Sequence, residues 1–287
     1  MAFCVFYDFE ISQSDYNTVT MFMEFLARNR ISVLSIRNYI AAITAFFKWF
    51  NLNYKIFSHH KVTLMFKALQ RSVVKFPKFK AVFQIEDLYA IVTKCHAYQF
   101  AQMYKTLYLF AYFGFLRISN LVPASKNKFT MHKHLCRGDV MLTDEEVVIV
   151  IKWSKTLQAT NQGSYIVLPK IRCKMLCPWY NFKLMSSMYP VPPNLPCFSS
   201  ATSLMLTEFM VRNHLKTILT AVDLDTTVYG FHTFRRSGAT LAFNLDISME
   251  EIKRHGTWRS DAVNSYIVAD PLKAAGVSNK FKRFFNK

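Results

Sequence analysis

Apolar positions recur at helical spacing through the first quarter of the chain. Val19, Phe22, Met23 and Leu26 mark a helix over 18–27, Ile36, Tyr39, Ile40, Ile43, Phe46 and Phe47 mark another over 35–50, and a third spans 62–69. Short amphipathic helices of this kind make a small all-α domain over residues 1–75, with the aromatic stripes read as core. Lys75-Phe-Pro-Lys-Phe-Lys80 combines basic residues with a proline and has no apolar period. It predicts a basic linker over 76–80 and a second domain over 81–287.

In that second domain the pattern from Glu86 to Leu121 is again helical and ends in the run Leu107–Leu116, too apolar to stay in water. The period then changes. Val140–Leu142, the β-branched run from Val147 to Trp153 and Ser164–Leu168 predict three antiparallel strands, with a turn over Thr143–Glu146. Helical periodicity resumes over 178–188, where Pro178 sits at a first helical position, and over 207–219, 231–245 and 249–268. The proline-rich 189–196 reads as a stiff extended loop. The fold class is mainly α with a small antiparallel β-sheet (α+β), in two domains.

The charge balance narrows the partner. The 287 residues carry 36 Lys+Arg against 18 Asp+Glu, a net +18, which favours a polyanion. The excess is +5 through residue 75 and +13 after it, so both domains are basic rather than one bearing a charged tail. The longest uncharged apolar stretches are too short to span a bilayer. Asp8 and Glu10 interrupt any signal-peptide core, and an intracellular protein is expected. His132, His134, Cys136, Cys173 and Cys177 can be drawn as a zinc set, but their spacing matches no recognised ligand knuckle, and neither metal nor cofactor is expected.

Candidate chemistry concentrates late in the chain. His232 and Arg235 lie three apart, on one face of the predicted 231–245 helix, near an N-terminus that itself favours a phosphate. Arg117 follows the apolar Leu107–Leu116 run, where a buried charge needs a partner or a cleft. Lys155 stands at or just past the end of the middle strand, and Tyr266 lies downstream as a candidate nucleophile.

In chain order, these residues resemble the tyrosine recombinases, the phage-integrase-like DNA strand-transfer enzymes. Phe113-Gly-Phe-Leu-Arg-Ile-Ser-Asn-Leu121 looks like the family's first arginine box, and Ser154-Lys-Thr156 like its β-hairpin lysine. His232-Thr-Phe-Arg-Arg-Ser-Gly-Ala-Thr240 is similar to its His-x-x-Arg box, and the segment from His255 to Ile267 to its last box. The wording of Lys152-Trp-Ser-Lys-Thr156 and Trp258-Arg-Ser-Asp-Ala262 is nearest to recombinases of eukaryotic DIRS, Ngaro and Crypton elements. The likeness covers roughly residues 80–270. The first domain resembles the family's core-binding domain only in being helical, basic and of suitable size.

The resemblance implies a catalytic set of Arg117, Lys155, His232, Arg235, Trp258 and Tyr266, with His255 the alternative to Trp258. It implies a 3′-phosphotyrosyl intermediate and no metal. Arginines clamp the phosphate, Lys155 protonates the leaving 5′-oxygen, and His232 takes the proton of a phenol otherwise held near neutral pH. Lys78, Lys80, Arg236 and Arg259 are DNA-binding candidates. The implied partners are double-stranded DNA and further copies of the chain, as a tetramer on paired sites, with no membrane; the implied location is the nucleus, and the implied role is integration or excision of a mobile element. Asn120 departs from the acidic residue often found three positions after the first arginine. An inactive DNA-binding relative and a type IB topoisomerase-like relaxing enzyme are the alternatives.

Overall fold

The computed structural model describes residues 10, 14–72, 81–153, 164–202, 204–258 and 260–268. The chain divides into two compact units, Met1–Lys78 and Phe79–Lys287. The linker expected at 76–80, with Lys78 and Lys80, lies outside the described residues.

The first unit holds α1 (Tyr16–Arg28), α2 (Val33–Trp49) and α3 (His60–Ser72), with a 3-10 turn at Tyr54–Ser58. Side-chain caps set the starts of the first two. Asp15 Oδ1 accepts the Thr18 amide at 2.8 Å and Ser32 Oγ the Ser35 amide at 3.1 Å. Val19, Met23, Ile36, Ile40, Phe47, Ile56 and Val62 form its core. The aromatic stripe of α2 is not all core. Ile36, Ile40 and Phe47 follow the buried line along the helix, whereas Tyr39, Phe46 and Trp49 fall on the far side and are exposed.

The second unit is built around α5 (Ala101–Phe113), in which every residue from Gln102 to Tyr112 is buried. A helix apolar on all sides has to be wrapped by others. Here α7 (Pro178–Met188) and α9 (Phe231–Asn244) cover it. Phe110 packs on Phe182 with centroids 5.6 Å apart, and Tyr108 stacks on Phe234 at 5.0 Å. Strands β1 (Val140–Leu142), β2 (Glu146–Ile151) and β3 (Ser164–Pro169) pair antiparallel in that order. Their alternation buries Val147, Ile149 and Ile151 with Ile166 and Leu168. The remaining helices are α4 (Ile85–Lys94), α6 (Ile118–Leu121), α8 (Glu208–Ala221) and α10 (Met249–His255).

Two predicted helices are interrupted. The stretch 86–121 breaks into α4, a 3-10 turn at Cys95–Ala97, α5 and α6, through left-handed backbone at Phe100 and Phe115 (φ 59° and 48°). Neither is a glycine, so composition carries little warning. The stretch 249–268 ends as an α-helix at His255; Thr257 is left-handed (φ 56°), and Asp261–Ser265 is a 3-10 turn capped by Tyr266. Tyr266 is therefore not on an α-helix. The loop over 189–196 contains a turn at Pro193–Asn194 and pairs Pro196 with Cys136. Among the described residues, no helix is long and apolar enough to cross a membrane.

Helices α5 and α9 cross at Gly238. A Cβ there would lie 2.0 Å from Tyr112 O and 2.8 Å from the Phe115 ring, so the backbones themselves would have to part. Gly238→Ala should lower the unfolding free energy of the second unit by about 3 kcal/mol, the upper end of overpacking costs. Urea denaturation followed by circular dichroism measures this; an unchanged midpoint would show that the crossing is not tight.

Candidate active site

The site assembles on the first two turns of α9. Gly230 precedes the helix, and its amide donates to Thr233 Oγ1 at 3.0 Å. His232, Arg235 and Arg236 follow at spacings that set His232 beside both arginines.

Arg235 is almost completely enclosed, with 1% of its surface exposed. Its Nη1 donates to Phe115 O, and its Nη2 to Gly256 O at 2.8 Å. The Trp258 ring lies 3.7 Å from the guanidinium carbon and the Tyr266 ring 5.4 Å, in the range of cation–π attraction. Arg235 makes no ion pair within 4 Å among the described residues. Burial and then the charge of Arg117 push its pKa down to about 9. Among the described residues, two buried N–H groups, Arg235 Nε and Trp258 Nε1, have no acceptor.

Tyr266 closes the cluster. Its ring centroid lies 4.9 Å from that of His232 and 5.1 Å from that of Trp258. Thr240, one turn further along α9, brackets the segment by donating to Tyr266 O at 3.4 Å and accepting the Val268 amide at 3.2 Å. His232 has an exposed edge, but the Tyr266 ring screens one side of it. Desolvation comes first, and the charges of Arg235, Arg236, Arg117 and Arg212 add to it, bringing the imidazole pKa down to about 4. The ring is therefore neutral at physiological pH and can accept a proton.

Arg117 sits at the N-terminus of α6, half-buried, and its charge is felt at both His232 and Arg235. Its amide donates to Asn120 Oδ1 at 3.1 Å, while Asn120 Nδ2 donates to Trp153 O at 3.4 Å. The Trp153 ring also takes Lys133 Nζ at 4.1 Å, and Lys152 pairs with Asp139 at 2.6 Å. The residues leading into Lys155 are thus anchored against the Arg117 turn. Lys155 itself, like Arg259, lies outside the described residues.

The two candidates for the last position have different surroundings. His255 Nε2 donates to Phe113 O at 2.8 Å, and its ring sits edge-on to Phe115 at 4.8 Å, so it braces the turn after α5. Trp258 lies in the Arg235–Tyr266 cluster. Arg236 Nη1 donates to Ala81 O at 3.0 Å.

Two of the cysteines drawn as a zinc set, Cys177 and Cys136, accept hydrogen bonds elsewhere, while Cys173 is exposed. Cys177 Sγ accepts the Tyr180 amide at the start of α7, and Cys136 Sγ accepts Lys152 Nζ. No group of three metal-ligating side chains occurs among the described residues. Sequence reasoning did not find the carbonyls of Phe115 and Gly256, the Asn120 bridge, Thr240 or Arg212. A Cβ at Gly256 would lie 1.8 Å from the Trp258 ring.

No protein-family profile and no curated protein matches the chain. Solved structures do. The XerH site-specific recombinase bound to palindromic difH substrate aligns with a TM-score of 0.61 and 14% identity, over 95% of this chain and 72% of that one. The Tn1549 transposon integrase in complex with circular intermediate DNA aligns at 0.56 and 9%, over 93% and 85%. A lambda integrase dimer bound to a COC′ core site aligns at 0.55 and 12%, over 89% and 65%. The mostly helical architecture with a three-stranded sheet is thus the fold of these tyrosine recombinases and integrases.

His232 supplies a direct test of the site's electrostatics. Its folded pKa lies below the ~6.5 of a free imidazole, so the native state binds fewer protons than the unfolded chain. The stability linked to this residue should be fully present above about pH 6.5 and lost as pH falls through 4. An NMR titration of the ring should show a midpoint near 4. A midpoint near the free value would mean that neither burial nor the arginines act on it.

Proposed function

We propose that this chain is a site-specific DNA recombinase that cleaves and rejoins strands through a covalent bond between Tyr266 and a 3′-phosphate. The observation that carries this reading is the surroundings of the phenol. Among the described residues, a buried guanidinium without a carboxylate and two buried N–H groups without acceptors stand beside the Tyr266 ring. Unmatched buried donors cost free energy until an acceptor arrives, and non-bridging phosphate oxygens are acceptors that also carry the missing charge.

In this reading Arg117, Arg235 and Trp258 Nε1 hold the scissile phosphate and offset charge that builds as phosphorus becomes five-coordinate. Neutral His232 accepts the phenol proton while Tyr266 Oη forms the bond to phosphorus and the bond to the 5′-oxygen breaks. Lys155 protonates that leaving oxygen. The phosphotyrosyl ester replaces one phosphodiester by another, so a 5′-hydroxyl from a second strand reverses the step without further energy input. The motif wording and the basic charge of both units support the finer reading: integration or excision of a mobile element in the nucleus, by protomers assembled as a tetramer on paired sites. Lys78, Lys80 and Arg259 would contribute phosphate contacts.

The test uses nicked suicide substrates built from the DNA flanking the gene. The native protein should form a denaturation-resistant complex, with equal yield in EDTA because side-chain cations supply the charge stabilisation. Tyr266→Phe should bind the same DNA with unchanged affinity and form no such complex. Equal adduct from the variant would move the nucleophile elsewhere. Binding without adduct by the native protein would favour an inactive relative, and supercoil relaxation without strand exchange would favour a topoisomerase-like enzyme.

A further inference from the structure

Arg236 has no part in the chemistry above, yet it is built into the same helix face. It follows His232 by four residues, so the two are neighbours on the surface of α9. Its Nη1 donates to Ala81 O at 3.0 Å, it is half-buried, and its Nε is enclosed without a partner among the described residues. The next residue, Ser237, accepts the Phe83 amide at 2.6 Å and donates to Thr233 O at 2.8 Å. The Phe83 ring stacks on Tyr229 at 5.2 Å and packs on Phe234 at 4.9 Å. Ala81 and Phe83 are buried. The first described residues of the second unit are therefore strapped along the helix of His232 and Arg235.

We propose that Arg236 is a positioning residue for strand cleavage: it fastens the place where the chain enters the second unit to the helix of His232 and Arg235, and stands beside His232 as a fixed positive charge. The role rests on the function proposed above. Four guanidiniums act on His232, those of Arg235 and Arg236 on its own helix, Arg117 before α6 and Arg212 on α8, while Tyr266 packs on its ring. Arg236 is the member of this group that also holds the strap.

The competing role for Arg236 is a plain DNA contact, and the two give opposite results. Arg236→Ala should slow single-turnover adduct formation at saturating DNA about ten- to a hundredfold, the kinetic equivalent of one hydrogen bond to a charged group. DNA affinity and its salt dependence should stay as in the native protein. The acid limb of the rate profile should move to higher pH in the alanine variant, since one cation has left His232, and return in Arg236→Lys. Weaker binding with a salt slope reduced by about one and an unchanged rate at saturation would make Arg236 a phosphate contact and overturn the proposal. Two readouts without DNA separate this from failure of the enzymatic reading. In Arg236→Ala the NMR midpoint of His232 should rise and the Phe83 amide should exchange faster. If neither changes, the proposal fails whatever the native protein does to DNA; if both change while the native protein forms no adduct, the strap stands and the reaction does not.

Discussion

The enclosure of the Arg235 guanidinium is the constraint on which the second unit's architecture turns. A lone charge withdrawn from water is costly unless hydrogen bonds and neighbouring dipoles replace its hydration. Here two main-chain carbonyls do so, Phe115 O from the turn after α5 and Gly256 O from the turn after α10. Three segments separated by about 120 and 21 positions are thereby pinned to one side chain. The local geometry follows from that demand. Phe115 takes left-handed backbone, Gly256 leaves room for the Trp258 ring, and Gly238 lets α9 approach α5 closely enough for the guanidinium to reach.

The same enclosure sets the electrostatics. Cations gather around His232 and Arg235, with no carboxylate paired to Arg235 among the described residues, so the free protein keeps its imidazole neutral and its guanidinium pKa lowered. A phosphate entering such a place meets donors already oriented, and little reorganisation remains for the reaction itself. The field that would attract a polyanion also holds the His232 imidazole in its neutral form. Asn120 extends this order outwards. An amide can accept from the Arg117 backbone and donate to Trp153 O at once, which a carboxylate cannot do. The departure from the acidic residue therefore has a structural use, tying the first arginine to the strand end that leads into Lys155.

Much of this was legible in the chain. Periodicity alone located α1, α2, α3, α7, α8 and α9 and the three strands, because each element buries one face and the apolar spacing records which. The order Arg117, Lys155, His232, Arg235, Tyr266 pointed to phosphodiester chemistry, and the +18 charge to a polyanion. What periodicity cannot record is a break in a helix buried on every side. Nothing in Cys95–Phe100 or Phe115 announces left-handed backbone, since those turns are imposed by the packing of α5 and by the acceptor that Arg235 requires. The spacing from Tyr266 favoured Trp258 over His255 without deciding between them. Three residues apart on a helix they would share a face; only the left-handed turn at Thr257 sends Trp258 into the cluster and leaves His255 on Phe113 O. The sequence by itself determined which elements form and which groups are present to react, because both are local properties. The tertiary structure decided which of those groups meet, because backbone carbonyls and the space left by two glycines carry no side-chain signature.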